Sequence, residues 1–209
     1  MMRRTLEEGH EAALEIAQQE LQRLEPYKTA YMAGCDYHPG EGGGRCAVRF
    51  FGRDYEVTFP EIAVRMAAGE APDVTTSLII LHYLLQADGI QPSDEWIAFR
   101  ELPDGLAYDS AFQGRSGQRL AREYGHDPDA FVAAAEALGG ERLTFGDVSY
   151  MFRILPRIRM AVILHVADEE FGAAVNVLFD ASAGHYLPTE DLAVLGGLLA
   201  SNLIKAAEA

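Results

Sequence analysis

The sequence predicts an α+β fold: a single domain with a largely antiparallel sheet packed by several helices. Three observations lead there. Apolar residues alternate with polar ones in two separate stretches, around residues 46–59 and 157–179, as strands with one buried face require. Helical spacing and cap residues mark segments at both ends and in the middle of the chain. Strands and helices interleave without a regular βαβ repeat, which favours antiparallel pairing. The 209 residues suit one domain, read as an N-terminal helical segment at 1–32 joined to an α+β body at 33–209 in one compact unit.

In chain order, residues 7–24 read as a helix. Its stripe is Ala12, Ile16, Leu21 and Leu24, Thr5 and Glu8 form a capping box, and Glu25-Pro26 is the stop. Residues 33–45 form a glycine-rich connection. Cys46, Val48 and Phe50, then Tyr55, Val57 and Phe59, alternate on either side of a Gly52-Arg53-Asp54 turn, a hairpin that Pro60 ends. Residues 75–87 are rich in Leu and Ile and read as a mostly buried helix stopped by Asp88-Gly89. Residues 95–102 predict a strand carrying Trp96, the only tryptophan. A helix over 108–124 follows, then one with Asp127 as N-cap, Pro128 at its first position and Gly139-Gly140 at its end. Ile158, Met160, Val162, Leu164 and Val166 form one face of a strand. An acidic loop leads to a second strand at 173–179, and Thr189 caps a final helix whose first turn carries Glu190 and Asp191.

Composition removes several classes of function. Hydrophobic residues make up 49% and charged residues 23%, which is globular and not disordered. Seventeen basic against 32 acidic residues leave a net charge of −15, so phosphate backbones and anionic membrane surfaces are disfavoured as partners. Met1-Met2-Arg3-Arg4 begins as a signal peptide would, but no apolar run follows. The apolar stretch at 77–85 is too short to span a bilayer, so a cytoplasmic location is expected, with Cys35 and Cys46 as reduced thiols.

Four groups of residues are candidates for chemistry. Asp168, Glu169 and Glu170 are the densest acidic cluster and could hold a hard cation with His185, or simply solvate a loop. Asp168 continues the core-facing parity of the preceding strand, which would turn one carboxylate inward. Arg153, Arg157 and Arg159 are the only basic concentration. Arg157, Arg159 and His165 share a strand face that could take a carboxylate or phosphate, or pair with the chain's own acids. Glu7 and His10 share a helical face without a partner motif, and His82 could be an axial ligand or a hydrogen-bonded core histidine. Cys35 and Cys46 lack the spacing of a CxxC pair. Cys46 has core parity, while Cys35, beside Asp36 and His38, is the more exposed thiol. Gly42-Gly43-Gly44 matches no phosphate loop.

An ordered series of short motifs adds a resemblance. Leu81-His82-Tyr83-Leu84-Leu85 with Gly89, Trp96-Ile97-Ala98-Phe99-Arg100-Glu101-Leu102 and Leu138-Gly139-Gly140 resemble an uncharacterised prokaryotic family, domain of unknown function 3786. So do Leu155-Pro156-Arg157-Ile158, Asp168-Glu169-Glu170-Phe171, Leu178-Phe179-Asp180 and Tyr186-Leu187-Pro188-Thr189-Glu190-Asp191. The likeness runs from about Gly34 to Leu203, and Gly172 stands where the resemblance leads one to expect proline. The resemblance implies a setting in anaerobic metabolism, with corrinoid, other tetrapyrrole or iron–sulfur association through a partner. It implies no cofactor for this chain itself.

The reading that joins these observations is a ligand-binding or accessory protein. Its pocket is bounded by Trp96, Phe99, Arg100, the Arg157/Arg159/His165 face and the acidic loop with Phe171, and it would receive a small anionic or tetrapyrrole-like ligand. The alternatives are an enzyme using a cation at 168–170 with His165 or His185 as its acid–base group, and an acidic adaptor docking on a protein partner.

Overall fold

Alternation becomes strand pairing in both predicted stretches, and the pairing resolves into two sheets. The computed structural model describes residues 2–207, with side chains from Gly9 onward; Met1 and the side chains of Glu7 and of Thr5 and Glu8, the expected cap, lie outside that description. The chain divides into two compact units. One comprises Met1–Gln91 with Leu155–Arg157 and His185–Leu187, the other Pro92–Ile154, Ile158–Gly184 and Pro188–Ala209. The α+β class and the antiparallel pairing are as expected.

The first unit opens with α1 (Met2–Leu21), which packs on α3 (Val74–Gln86). Among its described side chains Ala17 and Leu21 are buried and Leu14 is half-buried, whereas Ala12, Ile16 and Leu24 are exposed. The expected stripe was out of phase: 14, 17 and 21 keep the three-then-four spacing of one helix face, while 12, 16, 21 and 24 do not. Since α1 already begins at Met2, Thr5 is not its cap. Pro26, expected as a stop, instead starts α2 (Pro26–Ala33), where the Glu25 carboxylate accepts from the N–H groups of Tyr27 and Lys28. Gly34 ends α2 with φ +66°, the left-handed backbone that favours glycine, and the Arg157 side chain packs against it, its Nε 2.6 Å from where a Cβ would lie.

The glycine-rich connection is itself partly a strand. β1 (Asp36–Gly40), β2 (Gly43–Phe50), β3 (Arg53–Phe59) and β4 (Val64–Met66) pair antiparallel in that order. The β2–β3 turn is Phe51-Gly52, both at positive φ, one residue earlier than expected. Tyr55, Val57 and Phe59 are buried on β3 as their parity required. In α3, capped by the Asp73 carboxylate on Thr76 N–H, the buried residues include Ile79, Ile80, Leu81, Tyr83 and Leu84.

The second unit carries the other sheet. β5 (Trp96–Ala98) is shorter than the predicted strand because Phe99–Glu101 turns into 3₁₀ geometry, with the Glu101 carboxylate accepting from Ala98 N–H. The helix expected over 108–124 is two, α4 (Gly105–Arg115) and α5 (Gly117–Tyr124). At the break, Ser116 donates its hydroxyl to the Phe112 carbonyl, and a Cβ on Gly117 would fall 2.5 Å from the Val175 carbonyl oxygen. The next helix, α6 (Pro128–Ala137), starts as predicted: the Asp127 carboxylate caps Ala130 N–H and Pro128 is first. β6 (Glu141–Leu143), β7 (Val148–Leu155), β8 (Ile158–His165) and β9 (Ala174–Asp180) complete a sheet of order β5-β9-β8-β7-β6. β8 is buried on both faces, Ala161 and Ile163 included, because it is the central strand.

The chain ends in α7 (Thr189–Ala207). Thr189 lies inside this helix and its hydroxyl donates to the Pro103 carbonyl, so it is not the expected cap. Phe99 and Phe112 stack at 4.3 Å and 8°, with Phe179 against both. Gly196 of α7 sits on this stack, since a Cβ there would be 2.2 Å from the Phe112 ring.

Candidate functional site

A cavity of about 440 Å³ opens in the second unit between the first turns of α4 and α7. Phe99, Ala107, Tyr108, Ala193 and Val194 give it mainly apolar walls, and Asp104, Arg115 and Glu190 bring charge to it. Each wall has a local cause. Asp104 adopts φ +58° and turns the chain into α4, and the Thr189 to Pro103 hydrogen bond ties the start of α7 to that turn. Tyr108 and Arg115 are two helical turns apart on one face of α4, so the Arg115 guanidinium lies over the Tyr108 ring, 5.9 Å from its centre. Glu190 stands in the first turn of α7, where the helix dipole favours its charge. Such a site can seat a flat apolar body against Tyr108 and offer guanidinium donors to an anion.

The residues expected to form the pocket are dispersed. Phe99 alone lines the cavity, and its ring is fully buried in the aromatic stack. Trp96 is half-buried on β5 opposite Asp180, and Arg100 is exposed on the 3₁₀ turn. Arg159 and His165 share a face of β8 as alternation required, but Arg159 is paired with the Asp94 carboxylate, which meets its charge from within the chain. Arg157 precedes the strand and counts with the first unit, where its side chain donates to Gln91.

The acidic loop is similarly occupied with itself. Asp168 is exposed, not inward, and its Oδ1 accepts from the N–H groups of Glu170 (2.8 Å) and Phe171 (2.6 Å). Those two bonds hold its carboxyl below the usual range. Glu169, Glu170 and Phe171 are exposed, and the Phe171 side chain reaches no buried position. His185 belongs to the first unit and pairs with Asp88 at 2.7 Å. Desolvation opposes ionisation of Asp88, but Ile90 N–H and His185 outweigh it and lower its pKa. Among the described residues, no group of three or more His, Cys, Asp or Glu side chains is placed to hold a metal ion. No described helix is long and apolar enough to cross a membrane.

A second concentration of perturbed groups lies in the first unit. The Tyr83 hydroxyl, fully buried on α3, donates to the Ala33 carbonyl and accepts from Arg157 N–H at 3.0 Å. Burial, followed by the nearby Cys35, pushes the Tyr83 phenol far above its ordinary value. The Tyr186 ring lies tilted at 30° to that of Tyr83, 5.5 Å between centres; its hydroxyl donates to the Ile90 carbonyl, and burial raises its pKa. Sequence reasoning missed both tyrosines as well as Tyr108 and Arg115. The seven-residue spacing of the latter pair was a usable signal. The tyrosine contacts span 50 to 96 residues and left none.

No curated protein and no solved structure shows significant similarity to this chain. A family model does match, over residues 25–202, and on that match the chain belongs to the family described as domain of unknown function DUF3786.

Proposed function

We propose that this protein binds a small, largely apolar molecule bearing an anionic group, seated between α4 and α7. The observation that carries the reading is the cavity itself. Its volume of about 440 Å³ falls within the range of small-molecule sites, its walls are mainly apolar, and it has few charged groups. Tyr108 and Val194 would contact the apolar body, Arg115 would bind the anion, and Asp104 and Glu190 would accept hydrogen bonds from donors on the same ligand. This keeps the ligand-binding role expected from sequence and moves its site from the β8 face to the helix pair.

The test uses 8-anilinonaphthalene-1-sulfonate, which combines an aromatic body, an anion and one N–H donor. The wild-type chain should enhance its fluorescence saturably. Val194→Trp should weaken binding at least tenfold by filling the cavity, and Arg115→Ala should weaken it several-fold, both with unchanged melting temperature. Equal enhancement by all three proteins would refute the site.

A further inference from the structure

We propose that Cys35 and Cys46 are a redox-active dithiol, closed to an intramolecular disulfide by a low-molecular-weight disulfide of the glutathione class. Ten residues lie between them in sequence, but the β1–β2 register places them diagonally across the strand pair. Tyr37 lies opposite Cys46 and Asp36 opposite Ala47, which puts Cys35, one step before β1, next along the row that faces Cys46. Both are free thiols, and Cys46 is the neighbour that most perturbs the Cys35 thiol. Cys35 is fixed in place by its backbone N–H to the Ala30 carbonyl and its thiol to the Ala33 carbonyl at 3.7 Å.

Access is one-sided. Cys46 is 1% exposed, whereas Cys35 is half-buried and lines a recess of about 300 Å³ with Gly34, Asp36, Val48, Tyr55 and Pro156. The order of steps follows from that difference. The Cys35 thiolate attacks one sulfur of the external disulfide, forming a mixed disulfide and expelling one small thiolate. The Cys46 thiolate then attacks Cys35 Sγ, forming the Cys35–Cys46 bond and expelling the second. Two protein thiols lose two electrons, the external disulfide gains them, and the two protons go to the departing thiolates. The Cys46 thiol, burial and Asp36 all hold Cys35 in its protonated form, against the opposing pull of Arg157, so the first step accelerates as pH rises. The bond would tie the end of α2 to β2.

The full chain, reduced and then treated with excess oxidised glutathione, is analysed by intact mass and peptide mapping. A mass lower by two hydrogen atoms, a Cys35–Cys46 linked peptide and a higher melting temperature are expected. Cys46→Ser should instead retain glutathione on Cys35. Two thiols still free after treatment would overturn the proposal. So would a wild-type protein that keeps glutathione on Cys35 while Cys46 stays alkylatable after denaturation.

Discussion

Asp180→Ala should cost about 3–5 kcal/mol of stability, the scale of removing one partner from a buried charged network. Asp180 is fully buried at the end of β9. Its Oδ1 accepts from the N–H and hydroxyl of Ser93 (3.0 Å each) and from the N–H (2.9 Å) and hydroxyl (2.7 Å) of Ser182, and its Oδ2 accepts from Asp94 N–H (2.9 Å). Desolvation opposes its charge, but these donors prevail and its pKa is lowered. Asp180→Asn keeps Oδ1 and turns a donor only on Asp94 N–H, so it should lose roughly half as much. Because the folded pKa lies below the unfolded value of about 3.9, this contribution is present above that pH and is lost as pH falls through the folded value. Thermal melts of the three proteins at neutral pH check the ranking. A drop of less than about 2 °C for the alanine variant would contradict the role assigned to these bonds.

Tyr83→Phe should destabilise the first unit by about 2–3 kcal/mol, since it leaves the Arg157 N–H and Ala33 carbonyl without their buried partner. The ring, packed at a tilt against Tyr186, is preserved, so the loss isolates the hydroxyl. The raised phenol pKa sets the sign at high pH. The contribution is whole below the unfolded tyrosine value of about 10 and erodes as pH climbs beyond it, because only the unfolded chain ionises readily there. Denaturant melts at neutral pH and near pH 10.5 should therefore show a smaller gap between wild type and variant at the higher pH. A gap that widens would contradict this account of Tyr83.

What was legible in the sequence was local. Asp127-Pro128 and Gly139 bounded α6 because cap, first-turn proline and left-handed glycine act within a few residues. Tyr55, Val57 and Phe59 declared their buried face by parity. The features that went unread depend on distant chain. The break at Ser116 follows from the Val175 carbonyl closing on Gly117, which no periodicity within 108–124 records. Arg159 was visible as a cation, but its neutralising partner Asp94 lies 65 residues away. Strand parity that would turn Asp168 inward does not reach it, because β8 ends at His165. Cys35 and Cys46 were separated by a spacing argument that the β1–β2 register overrides, and the strand hidden in the glycine-rich segment is why.

Binding in the α4–α7 cavity is read out residue by residue by ¹H–¹⁵N amide shifts during titration with 8-anilinonaphthalene-1-sulfonate. Changes concentrated at residues 104–108, Arg115 and residues 189–194 are expected, saturating together with the fluorescence. Changes centred instead on β8 and the 168–171 loop, or an absence of saturable shifts anywhere in the second unit, would contradict it.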